Sequence, residues 1–280
     1  RQRQMCIRDS VGEAAINHVP RRMIAEALER EAENAAYTGG FAVTISIEGG
    51  AETAKRTFNP HIGVEGGLSI LGTSGIVEPM SQQAILDTIQ LEMNQAALRA
   101  GSPRRLILAP GNYGLDYLHE RYPEFHAVPV VKTSNFIGDT LDMAATARFE
   151  EVLLVGHVGK LVKVAGGIMN THSHSADARM EVLAANALRV GADGDTARGI
   201  LNCNTTDEAL DILHEKGLLE PAMQEIMERI QFYLDHRSYE QIKLGAVVFN
   251  NVYGYLGKTR DAGELIQEIQ KQDEMLKLQM

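Results

Sequence analysis

The sequence predicts an α/β protein: a doubly wound, largely parallel sheet in the middle of the chain, preceded by a partial α+β region. Two observations carry this. Residues 106–109 (LILA), 128–131 (VPVV) and 152–155 (VLLV) are short, almost continuously apolar runs, each separated from the next by a helix-length segment. Strands buried on both faces read in this unbroken way, and the spacing is that of βαβ units with right-handed crossovers.

The elements follow in order. Residues 1–10 (RQRQMCIRDS) carry no apolar periodicity and read as foreign sequence joined to a fragment. From Val11 the character changes: Asn17, Val19 and Pro20 suggest a short extended entry, and Met23, Ile24, Ala27 and Leu28 have helical spacing. Residues 41–47 (FAVTISI) alternate apolar with polar types between Gly39-Gly40 and Gly49-Gly50, which predicts a half-buried strand. After Pro79, Ser81 is a cap for a helix with Ile85, Ile89, Met93 and Ala97 on one face, stopped by Gly101 and Pro103. Beyond the βαβ units, Met180, Leu183, Ala184, Ala187 and Leu188 predict an amphipathic helix, and Thr205 with Glu208 a capping box. Residues 245–250 (GAVVFN) supply a last strand, and 264–280 read as a solvated helical tail. The resulting division is 1–10 as leader, 11–78 as an α+β region, 79–257 as the α/β domain and 258–280 as tail.

Composition excludes several classes of function. The 280 residues carry a formal charge of −10 without a large Lys/Arg cluster, which argues against nucleic acid as partner. No apolar stretch is long enough to span a bilayer, and two cysteines suit a reducing cytoplasm better than a disulfide framework. The chain is expected to be cytoplasmic, with no membrane partner.

Ligands of open parallel sheets bind beyond the carboxyl ends of the strands. Here those ends read Pro110-Gly111-Asn112-Tyr113-Gly114, Lys132-Thr133-Ser134-Asn135 and Gly156-His157-Val158-Gly159-Lys160. Asn112, Lys132, Thr133, Asn135, His157 and Lys160 are therefore candidate ligand contacts. Lys132, Lys160 and Lys163 supply local positive charge suited to carboxylates, although solvated helix starts read the same way. His157, between two glycines after a buried strand, is a candidate acid/base, and a histidine satisfied by a nearby carbonyl is the plainer alternative. His172-x-His174 with Asp177 superficially suggests a metal, but an alternating pair on an irregular segment is more often a polar helix entry, and no metal site is expected.

The densest signal is NPHIGVEGGLSILGTSGIVEPMS at 59–81. Gly66, Gly67, Ser69, Gly72, Thr73 and Gly75 would let its backbone approach a ligand closely. It is neither a P-loop nor a dinucleotide fingerprint.

TFNPHIGVEGGLSILGTSGIVEPMS, APGNYG, VVKTSNFIGD, VGHVGKLVKVAGGIMNTHSHSADAR and NTTDEAL, in this order, resemble the cobalt-precorrin-5B C(1)-methyltransferase family over about residues 17–250. The resemblance implies S-adenosylmethionine as methyl donor and a cobalt-precorrin as acceptor in anaerobic cobalamin biosynthesis, with cobalt present only as part of the substrate. Other enzymes of that pathway are implied as further partners. Lys160 is a candidate catalytic residue beside His157, and Asn170 and His172 are candidate substrate or cofactor contacts. The family's N-terminal Gly-Tyr-Thr-Thr-Gly-Thr-Cys type motif is absent from this chain, and His18 stands where the family has proline. Two rival readings stand beside it: an anion-handling α/β enzyme, and a non-catalytic corrinoid binder.

Overall fold

The computed structural model describes residues 14–57, 64–72, 82–239 and 241–279. The expected leader, Thr73, Gly75 and the Ser81 cap lie outside the described residues. The chain divides into two compact units, Arg1–Ser81 and Gln82–Met280.

In the first unit, helix α1 (His18–Asn34) starts directly after Asn17, so Val19 and Pro20 lie inside its first turn rather than in an extended entry. Proline is tolerated there because the first-turn N–H groups have no intrahelical acceptor. Ile16 forms an isolated parallel bridge with Ile70, and Arg21 donates to the carbonyls of Ile16 and Ala14. A short helix α2 (Gly50–Ala54) follows. The strand expected at 41–47 does not form: the backbone there is irregular, and Phe41, Val43, Ile45 and Ile47 are exposed. Alternation encodes a strand only where a neighbour takes up its N–H and C=O groups. Among the described residues none pairs with this segment.

The second unit holds the α/β fold. Helix α3 (Gln82–Arg99) buries Ile89, Leu91, Met93 and Ala96. Then come β1 (Arg105–Ala109), α4 (Asn112–Arg121), β2 (Val130–Lys132), α5 (Ile137–Thr146) and β3 (Glu151–His157). The long connection to β4 (Lys243–Asn250) contains α6 (Val158–Val164), α7 (Arg179–Arg189), α8 (Gly194–Leu201), α9 (Thr206–Glu215) and α10 (Leu219–Ser238). The chain ends in β5 (Gly254–Lys258) and α11 (Ala262–Gln279).

The sheet order is β2-β1-β3-β4-β5, with β5 antiparallel at the edge and all other pairs parallel. That edge strand was not anticipated from the sequence, and β2 begins at Val130, two residues later than the apolar run, because Pro129 has no N–H to give the ladder.

Continuous burial conceals a strict alternation. Leu106, Leu108, Val152, Leu154, Leu244, Ala246 and Val248 point into the larger core with α3, α5 and α6 to α10. Ile107, Ala109, Leu153, Val155, Val247 and Phe249 point into the smaller core with α4 and α11. Both faces are thus covered, as parallel sheets require. Helix α4 lies so close to β3 that a Cβ on Gly114 would sit 2.7 Å from the Val155 carbonyl oxygen. The C-terminal helix is not the solvated tail expected: Ala262, Leu265 and Ile269 form a buried stripe, and buried Asp273 accepts from the backbone of His126 and Ala127. That i, i+3, i+7 stripe is only three residues wide and was hidden among charged neighbours.

Candidate functional site

Strand order reverses direction between β1 and β3: the chain leaves β1 toward β2 on one side, then returns past it to β3 and on to β4. A crevice opens at such a point because the connections after the two central strands fold to opposite faces. The residues beyond these strand ends are Pro110-Gly111-Asn112 and Val158-Gly159-Lys160. Gly111 has φ 88° and its Cβ position would lie 3.3 Å from the Lys160 amine, so the two loops meet over the crevice. A left-handed residue with a Cβ would be strained and would push Lys160 aside.

The lysines are held by neutral partners. Lys160 Nζ donates to the Ser134 carbonyl at 3.1 Å, and Lys132 Nζ to Asn112 Oδ1 at 2.8 Å. Ser134 adopts φ 52°, a conformation that costs a non-glycine residue about 1 kcal/mol and that turns the loop after β2 toward Lys160. Burial lowers the Lys160 pKa, and Lys132 and Lys163 lower it further. An arriving anion would oppose these effects by favouring the charged amine.

His157 ends β3 and caps α6: its Nδ1 accepts the Gly159 N–H at 3.1 Å. Its ring stands edge-on to Phe249 at 5.6 Å and lies 5.8 Å from that of Tyr113. Burial depresses its pKa, opposed by Asp207. With Nδ1 occupied by a backbone donor, the hydrogen-bond network assigns the proton of the neutral ring to Nε2. The side chain then offers a donor to a ligand.

Of the remaining predicted residues, Asn135, Asn170 and His172 come together. Thr171 N–H donates to the Asn135 carbonyl, Asn170 bridges Phe136, and Asn170 Oδ1 accepts from His172 N. Thr133 is fully buried, so it shapes the loop rather than meeting a ligand through its side chain. Lys163 corrects an expectation: it is 2% exposed, donates to the Thr171 and Ala176 carbonyls, and lies 3.6 Å from Asp177, so it ties the 171–177 loop to α6 instead of lining the crevice. Arg179 holds the Asp177 carboxyl down at about 2. His172 and His174 rings are 6.4 Å apart, and among the described residues no three His, Cys, Asp or Glu side chains form a metal-binding group. Gly66, Gly67, Ser69 and Gly72 belong to the first unit, where Gly66 has φ 75°.

Two residues that sequence reasoning passed over extend the row. Asn250, 2% exposed at the carboxyl end of β4, donates from Nδ2 to Asp207 Oδ1 at 2.7 Å. Asp207 lies in the first turn of α9, whose start is fixed by the expected Thr205/Glu208 capping box. The strand-end rule that picked out Lys132 and His157 also points to Asn250.

Comparison with known proteins shows the family. A family described as CbiD matches residues 4–79, and one described as CbiD, C-terminal domain, matches 170–260. The cobalt-precorrin-5B C(1)-methyltransferase of Ruminiclostridium cellulolyticum is 43% identical over 270 residues, covering 95% of this chain and 70% of the relative. Those of Alkaliphilus metalliredigens and Methanocaldococcus jannaschii are each 41% identical, covering 92% and 85% of this chain and 66% and 64% of theirs. This chain therefore spans about two thirds of the length of these relatives. No solved structure gives a significant match, and no described helix is long and apolar enough to cross a membrane. On these matches, the chain belongs to the cobalt-precorrin-5B C(1)-methyltransferase family.

Proposed function

We propose that the chain methylates C-1 of cobalt-precorrin-5B with S-adenosylmethionine as donor, giving cobalt-precorrin-6A in anaerobic cobalamin biosynthesis in the cytoplasm, beside other enzymes of that pathway. The observation that carries the reading is 43% identity over 95% of the chain to an enzyme of that name. When bound, S-adenosylmethionine supplies an electrophilic methyl: its sulfur keeps the carbon–sulfur electron pair as the thioether of S-adenosylhomocysteine, and C-1 supplies the pair for the new carbon–carbon bond. Cobalt is part of the substrate.

The residues of the second unit suit a macrocycle bearing carboxylates. Among the described residues Lys132 and Lys160 each donate to a neutral oxygen, which an incoming carboxylate would replace with a stronger hydrogen bond. Asn112, Asn135, Asn170 and His172 add exposed or half-exposed polar groups around them. We assign His157 to orienting the substrate through an Nε2 donor, and Lys160 to holding a carboxylate. Thr133 holds the loop between them. Methyl transfer needs the donor methyl in line with C-1, so positioning supplies most of the acceleration and no covalent enzyme intermediate is invoked. Gly66, Gly67, Ser69, Gly72, Thr73 and Gly75 are proposed as backbone contacts to a ligand.

Incubation with methyl-labelled donor and cobalt-precorrin-5B, followed by mass spectrometry of the ring, tests this. Label at C-1 is expected. Bound but unlabelled substrate would leave a corrinoid binder instead.

A further inference from the structure

The carboxyl ends of β2, β1, β3 and β4 form one row, and the row is electrically polarised. Neighbouring strands lie about 4.8 Å apart, so its length is about 14 Å. At the β2 and β1 end stand Lys132 and Lys160, the latter reaching back over Gly111 to the Ser134 carbonyl. At the β4 end stands Asp207, fixed by buried Asn250. One turn along α9 is Asp211, which accepts from the Tyr253 hydroxyl. His157 lies between the two ends, because its strand pairs β4 in the register His157 with Phe249. The His157 ring lies in the middle, backed by buried Phe249 and facing Tyr113, which is 62% exposed.

Among the described residues neither carboxylate of the β4 end forms an ion pair. Asp207 is engaged by an amide and Asp211 by a phenol. Asp207 acts electrostatically on His157, and fixed carboxylates without an opposite charge favour a cation through direct attraction. The two substrates differ in the same sense: the acceptor carries several carboxylates, and the donor carries its reactive methyl on a sulfonium cation.

Building on the function proposed above, we infer that Asp207 is the donor-orienting residue: the Asp207 end of the row takes the sulfonium, the Lys132 and Lys160 end takes the carboxylates of the macrocycle, and the methyl crosses between them near His157. Asp207 selects the charged donor over its neutral product. S-adenosylhomocysteine lacks the sulfonium charge, so it loses the attraction to Asp207 and is released more readily after transfer.

Equilibrium binding of the two compounds, measured by calorimetry without corrinoid, tests the inference. Asp207→Asn, which keeps the shape and the contact with Asn250, is expected to weaken S-adenosylmethionine about tenfold, the scale of one charge interaction. S-adenosylhomocysteine should change less than about twofold, and Asp207→Glu should restore discrimination. Equal weakening of both compounds, or no change in either, overturns the assignment while leaving the methyltransferase reading in place. A wild-type chain that binds neither compound removes the donor reading and this assignment with it.

Discussion

The two ends of the sheet use charge in opposite ways. At the amino end, charges meet opposite charges: Arg105 at the start of β1 pairs with Glu151 at the start of β3 and with Glu268 on α11, and Lys243 at the start of β4 pairs with Glu264. Gln272 takes a further guanidinium N–H of Arg105. At the carboxyl end, charges meet neutral dipoles: Lys132 an amide oxygen, Lys160 a carbonyl, Asp207 an amide nitrogen. Neutral partners satisfy a buried or half-buried charge without cancelling it. One end is thereby closed electrostatically and serves the fold. The other keeps net charge available to a ligand.

The comparison can be broken by substitution. The largest effect is expected at the amino end. Arg105→Met leaves Glu151 half-buried without its partner, and should cost about 3 kcal/mol in chemical denaturation. A loss under about 1 kcal/mol would show that the ion pairs there do little for the fold. Lys160→Met should behave in reverse, staying within about 1 kcal/mol of wild-type stability and weakening a polycarboxylate corrinoid about tenfold, as a charge-assisted bond predicts. Wild-type corrinoid affinity in that variant would remove Lys160 from the site.

The smallest effect sharpens the role of His157. Burial lowers its folded-state pKa below the unfolded value of about 6.5. The unfolded chain therefore takes up its proton first, so the stabilisation present above pH 6.5 is lost as the pH falls through that value toward the folded pKa. Denaturation midpoints at pH 7.5 and 5.5 should separate wild type from His157→Asn, with wild type losing more on acidification. Identical pH dependence would mean the buried ring does not resist protonation.

Much of the α/β unit was legible because burial on both faces and helix periodicity are local signals. The runs at 106–109 and 152–155 lie inside β1 and β3, and Thr205 with Glu208 forms the capping box. Three features depended on partners distant in sequence. The 41–47 segment alternates like a strand yet pairs with none among the described residues. β5 pairs with β4 through a short, Gly-bracketed stretch with little apolar pattern, and α11 buries a stripe only three residues wide. For the candidate site, strand-end position pointed to Lys132, His157 and Lys160, but could not separate Lys160 from Lys163. The two are three residues apart on one short helix, and only the fold of the 171–177 loop buries one of them. Asp207 was not legible as a candidate because it reaches the row from a helix 50 residues beyond β3, through its hydrogen bond from Asn250.

Hydrogen–deuterium exchange on addition of cobalt-precorrin-5B tests the central claim most directly, since it reports both ends of the sheet in one experiment. Protection confined to the loops at 110–114, 133–137 and 157–161, with the starts of β1 and β4 unchanged, is the predicted result. Protection at the amino end with unchanged strand-end loops would contradict it.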